Sequence, residues 1–240
     1  IGILQSAKTY YYVFRGASLI NVVCNISRNR AYPDFKNDSK FNNLTENTME
    51  ILFKANSFPN TLNTLMGIES NYLLRIGDAT IPNNQLQVAT SVNNCTSADL
   101  QLESGKWYHV AVAFNKGNVK VYINGVEKLS GSTGKSSVSL GAKHTNEEDG
   151  SRCFWVGYSY KDDRYFDGVV SEVRIWNRAL TAEEIQATNH FYTIEPESEG
   201  LIAYWKFDEG SGTVAKDYSV SGYDLTIDKE PKWESVSLPQ

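Results

Sequence analysis

The densest set of groups able to do chemistry lies in residues 158–165. Tyr158, Tyr160 and Tyr165 are interleaved there with Lys161, Asp162, Asp163 and Arg164. Flat rings cover the apolar C–H face of a sugar, while carboxylate and guanidinium groups bond its hydroxyls. Residues 143–152 form a polar loop that adds His144, Asn146 and Glu147. Together these groups suit recognition of a saccharide. The competing view packs Tyr158 and Tyr160 onto a sheet and leaves the charges to solvate a loop.

Catalytic chemistry is harder to find. Glycoside hydrolysis needs two carboxylates flanking the scissile bond, and neither E-x-D-x-E nor E-x-D-x-x-E occurs. Glu147, Glu148 and Asp149 are contiguous, so they cannot share one face of a strand. Glu46 and Glu50 flank a strand start without an evident partner, and all of these acids are read as solvated. His109 sits in an alternating strand, His144 in a polar loop and His190 after a helix, with no nucleophile beside them and no metal-ligand spacing. Residues 131–136 (Gly-Ser-Thr-Gly-Lys-Ser) lack the spacing of a phosphate-binding loop.

The elements that must position these groups are strands. Val110, Val112 and Phe114 alternate with His109, Ala111 and Ala113, and Val119, Val121 and Ile123 with Lys120, Tyr122 and Asn124. That is the period-two pattern of half-buried strands. Lys116-Gly117-Asn118 turns the chain once, and Asn124-Gly125 suits a tight hairpin into 126–129. A three-stranded antiparallel meander follows. Segments 10–14, 19–26, 50–54 and 72–76 also read as strands, separated by polar turns. One short helix is expected, with Thr181 as its cap, Glu184 completing a capping box and its end near Asn189. Trp107, Trp155, Trp176 and Trp205 fall on strands and are expected in the core, with Trp233 covering a sheet edge.

Composition sets the outer bounds. The 240 residues are 41% hydrophobic and 12% aromatic, with 14 Tyr, as for a folded β-rich protein. The net charge of −5 is scattered without a basic stripe, which argues against nucleic acid or an anionic membrane as partner. No apolar run reaches the length of a membrane span. The chain opens on Ile1 rather than Met, so a targeting segment is expected to be missing from it. Cys24, Cys95 and Cys153 are expected as buried free thiols, in preference to a Cys95–Cys153 disulfide.

Three segments carry a family resemblance. Trp107, His109, Gly117, Tyr122, Ile123, Asn124 and Gly125 match one motif. Phe166, Gly168, Val173, Arg174, Ile175, Trp176, Arg178, Leu180, Glu184 and Ile185 match a second. Residues 200–225 supply a third, G-L-I-A-Y-W-K-F-D-E-G-S-G followed by K-D-Y-S. Together they resemble laminin-G-like domains of the concanavalin A-like lectin/glucanase superfamily. The resemblance implies an all-β, antiparallel jelly-roll β-sandwich over 1–240 as a single domain. The third motif opens many such domains but closes this chain, so 200–240 is expected to complete the sandwich in a circularly permuted-looking order. The alternative makes it the start of a second domain.

The resemblance also implies non-catalytic glycan binding by a bacterial module with an extracellular, cell-surface or periplasmic location. An oligo- or polysaccharide is the expected partner. The alternatives are a protein-interaction or adhesion module and a glycosidase whose acid pair is unrecognised. Many relatives hold a structural Ca2+, for which Asp208, Asp217 and Asp167 would be the ligands. The same aspartates are equally suited to accept backbone hydrogen bonds in tight turns.

Overall fold

A computed structural model of the protein describes residues 20–142, 153–159 and 162–238. The strands are β1 (Ile20–Asn25), β2 (Ala31–Pro33), β3 (Glu46–Ala55), β4 (Asn63–Ile68), β5 (Tyr72–Asp78), β6 (Ile81–Thr90), β7 (Asn94–Cys95) and β8 (Trp107–Asn115). They continue as β9 (Asn118–Ile123), β10 (Val126–Ser132), β11 (Trp155–Val156), β12 (Gly168–Trp176), β13 (Leu201–Trp205), β14 (Val214–Ala215), β15 (Leu225–Ile227) and β16 (Lys232–Ser237). They form two antiparallel sheets. The first runs β10-β9-β8-β3-β12-β1-β16, with β13 also paired to β12, and the second runs β14-β15-β2-β11-β4-β5-β6-β7. This is the expected jelly-roll sandwich.

The expected meander is β8-β9-β10. Lys116 and Gly117 take φ of 47° and 95°, and Asn124 and Gly125 take 48° and 76°. Two positive-φ residues joining Ile123 to its partner Val126 make the tight turn that matches the twist of the flanking strands. Val110, Val112, Phe114, Val119, Val121 and Ile123 enter the main core, where they meet Leu74, Ile76, Leu86 and Val88 from the facing sheet. Burial of these side chains drives the sheets together.

The opposite face of the meander departs from expectation. Ala111 and Ala113 are buried rather than solvated, as are His109 and Tyr122. Segment 177–199 lies across them as a third layer and packs Leu180 and Ile185 against Ala111, Ala113, Tyr122, Trp176, Leu201 and Tyr204. Two alanines leave a shallow bed where a strap can lie close to the sheet. The strap is fixed by Thr48, which accepts from Leu180 N at 2.9 Å and donates to the Arg178 carbonyl at 2.9 Å. Its helix α1 (Ala182–Ile185) carries the complete Thr181/Glu184 capping box, and it ends earlier than the expected Asn189.

Strand β12 holds an irregularity that the apolar pattern conceals. Its pairing with β3 slips between Ser171 and Arg174, and the intervening Glu172 has φ of 44°. This bulge lets Val170, Val173 and Ile175 all reach the main core while Glu172 and Arg174 gather on the strap side. The neighbour of β12 changes there as well: β1 pairs with Val169 and Val170, whereas β13 pairs with 173–176. The C-terminal strands enter both sheets, with β13 on β12, β15 on β2 and β16 on β1. The β1–β16 register sets Ile20 opposite Ser237.

All three cysteines are buried, as expected, and burial pushes the Cys24 thiol far up. Trp176 and Trp205 are core residues, and Trp155 is buried in a separate aromatic cluster. Trp107 is only half-buried, with the Lys54 ammonium 5.4 Å from its ring centre. Trp233 lies in the edge strand itself. Segment 10–14 lies outside the described residues.

Candidate functional site

The outer face of the second sheet reads β2-β11-β4-β5-β6 across its middle. Trp155 on β11 stands opposite Gly67 on β4. Tyr32 and Tyr158 approach Trp155 edge-on, each at 5.1 Å between ring centres. Tyr165 tilts against Tyr158 at 4.8 Å, and the Arg30 guanidinium sits 5.5 Å from Trp155 and 5.1 Å from Tyr158. Such contacts fix ring orientation. Tyr158 is 4% exposed, so it is a wall of this cluster rather than an open platform. Tyr165 is half-buried at its rim.

Immediately beyond Tyr165 the chain forms a cleft of about 500 Å3, lined by Pro59, Asn60, Thr61, Leu62, Glu69, Arg75, Asp78, Ala79, Asp163 and Arg164. The turn Asp162–Arg164 forms one wall. Asn60 Nδ2 donates to the Tyr165 carbonyl at 2.9 Å, tying the opposite loop to it. The floor is a charge chain. Glu69 accepts from Arg164 at 3.0 Å and lies 3.9 Å from Arg75. Arg75, 7% exposed in its side chain, also pairs with Asp78 and donates through Nε to Gln87 at 2.9 Å.

Three carboxylates (Glu69, Asp78, Asp163) thus face two guanidiniums, and Glu69 and Asp78 are engaged by them. Asp163 is exposed at the rim. Neutral hydroxyls find both donors and acceptors here, whereas an added anion meets an excess of negative charge. Of the expected binding residues, Asp163 and Arg164 line this cleft, whereas Tyr165 follows them in the chain and packs on Tyr158 in the neighbouring aromatic cluster. Asp162 opens the turn. Tyr160, His144 and Asn146 lie outside the described residues.

Glu69, Arg75, Asp78 and Asn60 were not among the residues expected to bind. A signal was present: Arg75 interrupts Leu74 and Ile76, and Gln87 alternates with Leu86 and Val88 in the paired strand. Buried polar groups at matched positions of neighbouring strands mark a face that is neither core nor open solvent.

The three aspartates considered for Ca2+ occupy two places. Asp217 Oδ1 accepts from Tyr204 N and Ser219 N, each at 2.9 Å, and its Oδ2 accepts from Tyr223 N at 2.8 Å. Burial pushes its carboxyl up, against these bonds to the charged form. This is the turn-organising role of an aspartate. Asp208 is exposed, with the Tyr218 hydroxyl 3.5 Å away. Asp167 accepts from Ser57 Oγ at 2.5 Å, near the start of β12.

A second polar cluster lies beneath the strap and corrects two expectations. Glu50 is not a solvated loop acid: it is fully buried, mid-strand in β3. The three histidines are also not all apart, because His190 from the strap and His109 from β8 both meet Glu50. His190 Nε2 lies 2.6 Å from Glu50 Oε1. His109 Nε2 is 3.3 Å from the same oxygen, off the line of a hydrogen bond. Trp176 Nε1 donates to Glu50 Oε2 at 2.7 Å. Arg174 lies 3.8 Å from Glu50, and donates to Glu172 at 2.5 Å and to the His190 carbonyl at 2.6 Å.

Burial opposes the charge on Glu50, but the two imidazoles and Arg174 prevail and hold its carboxyl well below the usual range. Burial pushes His109 down despite that neighbour. Glu172 goes the other way, with burial outweighing Arg174 and the Tyr204 hydroxyl.

A two-sheet jelly roll with a loop-built cleft on its outer face defines a lectin-type sandwich. The chain belongs to the concanavalin A-like lectin/glucanase superfamily, whose laminin-G-type family model matches residues 29–186. No curated protein matches it in sequence. Among solved structures, it resembles a Bacteroides ovatus protein provisionally assigned to carbohydrate binding, with 26% identity and a TM-score of 0.76. The alignment covers 92% of this chain and 61% of that one, so the chain spans about three fifths of that protein's length. Domain 4 of AbnA, a GH43 extracellular arabinanase from Geobacillus stearothermophilus solved with arabinotriose, aligns at 22% identity, TM-score 0.49, over 68% of this chain and 74% of that one. An SAP-like pentraxin from Limulus polyphemus aligns at 15% and 0.49, over 71% and 82%. Neither bears on what this chain binds.

Proposed function

We propose that this domain binds neutral carbohydrate without cleaving it, in the cleft between Asn60 and Arg164 with Tyr165 at its rim. The observation that carries this is the lining itself. An amide, a hydroxyl, carboxylates and guanidiniums converge beside an aromatic cluster, on a scaffold shared with the Bacteroides ovatus protein. The sugar ring would lie against Tyr165 while its hydroxyls exchange hydrogen bonds with Asn60, Thr61, Asp163 and Arg164. Glu69 and Asp78 serve to hold the two arginines in place, which leaves them poorly suited to act as a hydrolytic acid pair. A shallow site of this kind gives weak affinity that becomes useful when several modules act together on a polymer. An extracellular or cell-surface bacterial setting fits that use.

The test is retardation of the protein on native gels cast with a panel of polysaccharides. Neutral polymers should retard it, and uronate-rich or sulfated ones should not. Arg164→Ala and Tyr165→Ala should each abolish the retardation while leaving the thermal unfolding curve in place. Preference for anionic polymers, or retardation unaltered in both variants, would refute the proposal. Release of reducing ends from a retarding polymer would favour the glycosidase instead.

A further inference from the structure

The cleft makes no use of the cluster beneath the strap. We propose that Glu50, His109 and His190 form a zinc-type metal site, in which one divalent transition ion joins segment 177–199 to the sheet. Among the described residues, these three offer ligand atoms that all lie within 4.8 Å of one another. Two imidazole nitrogens and one carboxylate oxygen suit zinc, with a fourth position left for water. The 3.3 Å between His109 Nε2 and Glu50 Oε1 is close to the edge of a tetrahedron with metal bonds of about 2.0–2.1 Å. The 2.6 Å between His190 Nε2 and that oxygen is a hydrogen-bond length. An ion replacing the shared proton would therefore widen this one contact.

A second, independent observation points to a missing partner. His109 is fully buried, and among the described residues neither of its ring nitrogens has a hydrogen-bond partner. Orphaned polar atoms in a dry interior cost stability and call for an explanation. A metal at Nε2 would engage one of them. The surroundings also orient the ligands. Trp176 occupies Glu50 Oε2, leaving Oε1 for the ion, an arrangement typical of a supporting outer shell.

Arg174 does not bar a cation. Glu172 accepts from it directly at 2.5 Å, against 3.8 Å to Glu50. With neutral imidazoles the two glutamates and one arginine leave a net charge of minus one for the ion to meet. Glu50 and His109 lie on adjacent strands, whereas His190 belongs to the strap, so the ion would cross-link two layers. His190 is 6% exposed, and Glu50 and His109 are fully buried.

The whole chain, stripped with EDTA, is titrated with Zn2+ alone, and separately with Co2+ followed by visible absorption. One equivalent should bind, with the intense d–d bands of tetrahedral cobalt. At a hundredfold excess over Kd the midpoint of thermal unfolding should rise by about 5 °C or more. Backbone amides of 177–199 should exchange more slowly. His190→Gln and Glu50→Gln should each weaken binding by at least about 100-fold, the upper end of what loss of an outer-shell partner alone costs. X-ray absorption of the wild-type zinc form needs no variant, and should show two imidazole nitrogens at the metal. Absence of stoichiometric uptake, an oxygen-only shell, or undiminished binding in folded forms of both variants would overturn the proposal.

Discussion

Arg174 is fully buried between two buried carboxylates, and replacing it with Met should expose how much its charge supports. The substitution keeps most of the side-chain volume but removes the guanidinium that lies 2.5 Å from Glu172 and 3.8 Å from Glu50. It also removes the donor to the His190 carbonyl at 2.6 Å. Breaking a buried pair from one side costs about 3–5 kcal/mol, because the remaining charge is left without compensation. For a chain of this size each kcal/mol moves the midpoint by roughly 2–4 °C, so a fall of roughly 6–20 °C is expected.

The pH dependence follows from the direction of the Glu172 shift. Its carboxyl already lies above 4.5 in the folded state because it is buried, and loss of Arg174 raises it further. A group with a raised folded value binds more protons folded than unfolded, so the stability it supports falls as pH rises through that value. The deficit of Arg174→Met should therefore be largest near pH 7.5 and shrink toward pH 5.5. Urea unfolding followed by tryptophan fluorescence in EDTA measures both, and adding Glu172→Gln should recover more than about 1 kcal/mol. A loss below about 1 kcal/mol at pH 7.5, or a deficit that grows on acidification, would refute this account.

Other predictions concern the strap, the turns and the tail. Ala111→Leu should overfill the bed beneath the strap and cost about 1–3 kcal/mol, with faster amide exchange confined to 177–199. Gly125→Val should cost about 1–3 kcal/mol in thermal unfolding, because φ there is 76° and an added Cβ would come within 3.2 Å of Gln186 and Phe191. Asp217→Ala should orphan the amides of Tyr204, Ser219 and Tyr223 at a cost of about 1–3 kcal/mol. That loss should be unaffected by Ca2+ if the carboxylate serves the turn alone. Deleting 200–240 strips partners from β12, β2 and β1 at once. The remainder should lose its cooperative unfolding transition, and a sharp transition at the original midpoint would contradict that.

What was legible in the sequence was local. Asn124-Gly125 announces its hairpin because only a few residue types accept two positive φ values in succession. Thr181 and Glu184 announce a helix start because their two bonds span three residues. The Glu50–His190 contact joins residues 140 apart, and no spacing rule reaches that far. The alternation of β8 implies one solvated face, whereas segment 177–199 covers that face. Ala111 and Ala113 were the clue, since a solvated face rarely consists of alanine when lysine and threonine are available. The β12 bulge was hidden because Val169-Val170-Ser171-Glu172-Val173 fits neither period. In the cleft, the run 162–165 was conspicuous by density, whereas Arg75 and Glu69 emerge only once β4 and β5 are paired.

The pairing of Ile20 with Ser237 has a bearing on how this module can be joined to others. Ile20 at the start of β1 and Ser237 at the end of β16 therefore lie side by side at one corner of the sandwich. Such a unit can be spliced into a surface loop of a host protein without prying apart the host's own backbone. It would then move as one piece relative to its host.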